Sequence, residues 1–114
     1  MSGGDLLREI VGNYQKFGWT LRRAILAETP SRGEIVAALQ TIAPTILPET
    51  SDINALWFSR AASGNGETWE LRLLDAAPFA LLEIFAPEMS AAVRVERQQM
   101  MLEKMRVNAR KFKV

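Results

Sequence analysis

Ala55-Leu56-Trp57-Phe58-Ser59-Arg60-Ala61, Thr68-Trp69-Glu70-Leu71-Arg72-Leu73-Leu74 and Phe79-Ala80-Leu81-Leu82-Glu83-Ile84-Phe85 are three consecutive apolar-rich runs separated by turn residues. The middle run alternates, with Trp69, Leu71 and Leu73 on one face and Thr68, Glu70 and Arg72 on the other. That is the period of a half-buried strand. The first connection, Ala62-Ser63-Gly64-Asn65-Gly66-Glu67, carries Gly and Asn residues that tolerate the positive φ of a hairpin turn. In the second, Asp75-Ala76-Ala77-Pro78, the proline cannot donate to a ladder and so marks a strand boundary. The spacing predicts a three-stranded meander, with the flanking segments built to cover it.

Parity fixes an expected register. With Leu74 opposite Phe79, Leu71 faces Leu82, Trp69 faces Ile84 and Ala80 lies beside Leu73, which collects one apolar face. On the other face Arg72 meets Leu81 and Glu70 meets Glu83. A first hairpin centred on Asn65 sets Arg60 opposite Glu70, with Leu56 and Phe58 on that mixed face and Trp57 on the apolar one.

Outward from the meander, residues 5–17 place Leu6, Leu7, Ile10, Tyr14 and Phe17 at three- and four-residue spacing, an amphipathic helix that Gly18 is placed to end. Trp19–Leu26 reads as a fourth strand, with Trp19, Leu21, Arg23 and Ile25 sharing a parity; it can pair at either edge of the meander. Ser31 and Glu34 have the spacing of a capping box ahead of Ile35, Val36, Leu39 and Ile42, and Pro44 stops that second helix. Residues 44–54 read as an ordered connection anchored by Ile46 and Leu47. Ala86-Pro87-Glu88 opens a long last helix, about 87–111, with proline and an acid in its first turn.

The expected fold is therefore one α+β domain spanning residues 1–114, in the order α-β-α-β-β-β-α. Its four-stranded, mostly antiparallel sheet carries helices chiefly on one face. With 114 residues, 48% of them hydrophobic, the chain is long enough to bury about 65% of its unfolded surface in one core. No run has the length and apolarity of a membrane span, and no basic n-region precedes an apolar core, so a cytoplasmic protein is expected. Net charge is +1, which argues for no strongly charged partner. The chain has no cysteine and no histidine. Disulfides, thiolate nucleophiles, cysteine-based zinc sites and histidine-dependent triads are thereby excluded, and no motif implies a cofactor.

Two places stand out. On the last helix Ala91, Val95, Gln98, Leu102, Met105, Ala109 and Phe112 recur at alternating four and three, a heptad-like seam. A helix of about 25 residues spans ~37 Å against ~23 Å for a seven-residue strand, so its C-terminal half is expected to overhang the sheet. The overhang then either packs on a second copy or ends as a solvated tail. Residues 94–113 hold seven Lys or Arg against two Glu, net +5, while residues 1–93 hold seven against eleven, net −4. Lys104, Arg106, Arg110, Lys111 and Lys113 are what a helix dipole favours at its C-terminus. Nucleic-acid binding would want interleaved aromatics, and only Phe112 is present.

The mixed sheet face is the second place. Arg60, Glu70, Arg72 and Glu83 would form a cluster there, able to hold a small anionic ligand or to act as paired carboxylates. The same four residues are equally a solvated ladder of charges. Phe58, Phe79, Leu81 and Phe85 beside them make a patch that needs a cover: another element, a second subunit or a bound molecule. Trp19, Trp57 and Trp69 read as core, each indole N–H meeting a carbonyl or water. The function expected first is a protein-interaction module, homodimeric, using the mixed face or Leu102 and Met105 of the last helix. The alternative is a small-molecule binder, or a histidine-free enzyme, built on the Arg/Glu cluster.

Overall fold

A computed structural model of the chain describes residues 2–111. Along the chain run α1 (Gly3–Lys16), β1 (Thr20–Ala27), α2 (Arg32–Ile42), β2 (Pro48–Ser51), β3 (Ala55–Ala61), β4 (Glu67–Leu73), β5 (Ala80–Phe85) and α3 (Ala91–Lys111). The fold is α+β, with three helices and a five-stranded, mostly antiparallel sheet in the order β2-β1-β3-β4-β5. β2, within the segment expected to be a plain connection, is a fifth strand lying parallel to β1. Four residues at a sheet edge, opening on Pro48, carry too little periodicity to announce a strand. Leu47, expected as an anchor, is 80% exposed, whereas Ile46 packs against the core.

Two helices share one face of the sheet, and the third covers the other. α1 and α2 bury Leu7, Ile10, Val11, Ile35 and Leu39 against Leu21, Ala24, Leu26, Leu56 and Phe58. α3 lies across the opposite face and buries Met101, Met105 and Ala109 against Ile25, Trp57, Leu71 and Leu73. The half of α3 that packs is thus the C-terminal half, the one expected to overhang. Ala91, Val93 and Val95 at its start are exposed, so the seam follows the four-residue row of Met101, Met105 and Ala109. Phe112 and Lys113, the last members of the predicted seam and basic run, lie outside the described residues.

Three local interactions reset the expected boundaries. Ser90 caps α3 by accepting the Val93 N–H at 3.2 Å, so the helix starts four residues beyond Pro87. Ser2 caps α1 in the same manner, accepting from Asp5 N–H at 3.1 Å. The capping box at α2 does not close: Glu34 instead accepts from the Gly4 N–H of α1 at 3.1 Å, and Ser31 makes no cap bond. A carboxylate at the amino end of a neighbouring helix satisfies an orphan donor and meets the favourable end of its dipole.

β1 departs from strict alternation. A bulge between Leu21 and Arg23 lets Leu21, Ala24 and Leu26 face the same helices, while Arg23 and Ile25 turn toward α3. Arg22, the extra residue, donates from Nε to Oγ of the buried Ser59 at 2.7 Å.

Register separates the two hairpins. β3 and β4 pair Leu56 with Arg72, Phe58 with Glu70 and Arg60 with Thr68. The turn is centred on Gly64, at φ +70°, rather than on Asn65. The resulting two-residue shift leaves every side chain on its predicted face. β4 and β5 are shifted by one: Leu71 faces Leu81, Glu70 faces Leu82 and Trp69 faces Glu83. On the β3 side Leu74 N–H continues the ladder to Asn54 O at 2.9 Å, and on the β5 side Leu73 N–H takes Phe79 O, also at 2.9 Å, so Phe79 stands across from Leu73 rather than Leu74. A slip of one residue moves all of β5 to the other face.

Candidate functional site

The end of α1 begins the site. Gly18, at φ +83°, closes the helix, with its N–H on Gln15 O and the Trp19 N–H on Tyr14 O, both at 3.1 Å. Such a left-handed cap brings the third residue from the helix end against the second residue after it. Those residues are Tyr14 and Trp19, whose rings meet edge to face at 5.9 Å. Tyr14 also stacks on Phe58 of β3 at 4.0 Å. The cap therefore anchors the helix end to the sheet through two aromatic contacts.

Arg60 reaches this turn from β3. Its guanidinium lies 4.4 Å over the Trp19 ring and donates to Phe17 O at 3.1 Å. Glu70 of β4 and Leu82 of β5 complete the walls of a cleft of about 530 Å³, with Tyr14, Phe17 and Trp19 on the helix side. Burial pushes the Tyr14 phenol well above its usual range, and the Glu70 carboxylate beside it adds to the rise. Tyr14 is thus held neutral beside Glu70. Arg72, on the same face, acts on Tyr14 in the opposite direction. Its own guanidinium turns to the strand end, donating to Leu73 O and, at 3.4 Å, to Asp75 O. Neither Arg60 nor Glu70 forms an ion pair among the described residues.

Of the predicted cluster, Arg60, Glu70 and Arg72 share one face as expected. Glu83 does not join them. The one-residue slip sends it to the α3 side, where Arg97 binds it at 3.2 Å, and the expected Glu70–Glu83 pair does not exist. The aromatic patch is likewise dispersed. Phe58 is buried under α1, Phe85 and Met105 are fully buried, and Phe79, Leu81 and Leu102 pack against the cluster beneath α3. The exposed apolar residues of this region are others: Phe17 at 73%, Leu82 at 51% and Ile84 at 63%. Gly18 and the spacing of Tyr14 and Trp19 were the signal for the helix side of the cleft. Nothing local signalled Leu82.

β5 is also a free sheet edge. Because Leu73 N–H bonds Phe79 O, alternation makes Leu81, Glu83 and Phe85 the residues bonded to β4. Ala80, Leu82 and Ile84 therefore point their N–H and C=O groups outward. Their side chains are exposed on the cleft side of the sheet.

On the α3 face, Trp57 and Trp69 bury their indole N–H groups without a protein acceptor among the described residues. Of the basic helix end, Arg106 is committed to Asp52 at 2.8 Å and to Glu103 at 3.3 Å. No described helix is long and apolar enough to cross a membrane. Comparison with protein-family models, with curated proteins and with solved structures finds no match for this chain.

Proposed function

We propose that the chain is a protein-interaction module that pairs with a second copy of itself through β5. The observation that carries this reading is the outward row of Ala80, Leu82 and Ile84, apolar in side chain and unpaired in backbone. An exposed strand edge is a template for another strand, and proteins that remain single block it with lysine, proline or short length. β5 has six residues, with neither lysine nor proline among them.

An antiparallel two-fold pairing centred on Leu82 uses the whole row. Leu82 meets Leu82 of the second copy, and each Ala80 meets the other copy's Ile84, so every outward N–H and C=O finds a partner. On the opposite face Glu83 stands across from Leu81 and not from another Glu83. Its charge is already balanced by Arg97. Registers displaced by two residues in either direction leave part of the row unpaired, and one of them sets Glu83 against Glu83. Pairing also joins the two open half-faces into one floor, with an α1 helix at each side.

The test is Leu82→Lys, which sets two ammonium groups face to face on the axis. Sedimentation velocity across a concentration series is expected to show a dimer for the natural chain and a monomer for the variant. A natural chain that stays monomeric at high concentration sinks the proposal.

A further inference from the structure

From the cleft at the end of α1 we infer a second property, independent of pairing: it is a binding site for a small apolar anion, an aromatic or aliphatic carboxylate. Three observations carry this. The walls supplied by Tyr14, Phe17, Trp19 and Leu82 are apolar, and the volume of about 530 Å³ is in the range of small-molecule sites. Phe17 and Leu82 are 73% and 51% exposed, so the chain itself leaves them uncovered at the cleft mouth. The polar groups then decide the sign of the ligand.

Glu70 is occupied as the neighbour of the Tyr14 phenol, with Arg72 close enough to act on the same phenol. Arg72 spends hydrogen bonds on the backbone of Leu73 and Asp75. Arg60 differs. It is fixed over Trp19 and spends one donor on Phe17 O, yet it meets no carboxylate among the described residues. A guanidinium has five donors in a planar fork that fits a carboxylate with two parallel bonds. Stacking on Trp19 holds the fork in place before any ligand arrives, which lowers the ordering cost of binding. With Arg60 and Arg72 against Glu70, the three sum to one positive charge, and neither arginine forms an ion pair among the described residues. A ligand carboxylate on Arg60, with its apolar body between Phe17 and Leu82, satisfies both features at once.

All the walls come from one chain, so a strictly monomeric protein retains the site, and failure of pairing leaves this inference standing. The probe is naphthalene-2-carboxylate, with the uncharged naphthalene-2-carboxamide as comparator, followed by amide chemical shifts of the full chain. The carboxylate is expected to shift Tyr14 to Trp19, Glu70 and Leu82, and the carboxamide to bind at least tenfold more weakly. Arg60→Gln is expected to remove that preference by lowering carboxylate affinity about tenfold or more, while Glu70→Gln leaves it equal or tighter. Phe17→Ser changes an exposed side chain, so it leaves the fold intact and weakens both probes severalfold. Equal binding of the two probes, a preference that survives Arg60→Gln, or no shifts at the cleft at millimolar probe each overturns the inference.

Discussion

One face of the sheet meets water in two different ways. Over β1 and β3, α1 and α2 leave Ala24, Leu26, Leu56 and Phe58 with no exposure at all; beyond them, on the same face, Leu82 and Ile84 of β5 stand half or more exposed. α1 reaches the margin of β4 through Tyr14, and its left-handed cap then turns the chain away. Yet, Glu83 apart, β5 is apolar on both sides, with Leu81 and Phe85 toward α3 and Ala80, Leu82 and Ile84 away from it. A strand of that composition suits burial on both faces. The comparison teaches that α1 and α2 supply the cover of the sealed half, whereas no described element covers the open half.

The largest expected effect breaks the comparison by mutation. Leu39→Ala, at a position with 0% exposure, is expected to cost about 2–5 kcal/mol in chemical denaturation. Leu82→Ala, measured at concentrations where the chain is monomeric, should stay within about 0.5 kcal/mol. Similar losses at both positions would mean that the two halves are equally covered.

A smaller effect tests the hinge between the halves. Beyond its two chain neighbours, no atom of the described residues lies within 4 Å of a Cβ built on Gly18, so Gly18→Ala suffers only the positive φ. That conformation costs an alanine about 1 kcal/mol. The same variant should also loosen the contact of Tyr14 with Trp19 and weaken carboxylate binding in the cleft.

The smallest effect, seen only on going to alkaline pH, comes from Tyr14, the chain's single tyrosine. Its phenol is held above the ordinary value of about 10, first by burial and then by Glu70. A raised value in the folded state favours the neutral phenol. Its contribution to stability is therefore fully present below about pH 10 and is lost as pH climbs from there through the folded value. Absorbance at 295 nm should show no ionisation near pH 10, with phenolate appearing only at higher pH or together with alkaline unfolding. Glu70→Gln should lower the onset while leaving it above the ordinary value, because burial is the larger cause. A normal titration in the natural chain would place Tyr14 in water and open the cleft floor.

Much of the arrangement was legible in the residues. The alternation of β4, the faces of β3, the Gly18 stop and the joint placement of Arg60, Glu70 and Arg72 all follow from short-range periodicity or turn chemistry. The site was half legible for the same reason. Tyr14, Trp19 and Arg60 sit where a helix cap and strand parity put them, while Leu82 and Glu83 exchanged faces through one residue of register.

What the sequence by itself determined is local: where helices stop, which side chains share a strand face, and the absence of thiol and imidazole chemistry. What only the tertiary structure decided is every choice between near-equal local options. Leu73, not Leu74, stands across from Phe79 and gives it its N–H, and that pairing goes with the register of β5. Glu34 caps α1 rather than its own helix because α1 lies within reach. Pro48–Ser51 becomes a strand because β1 offers it an edge. Periodicity is a property of neighbours along the chain. Register, capping partners and edge pairing depend on groups distant in sequence, and there the space left by the packed core selects among them.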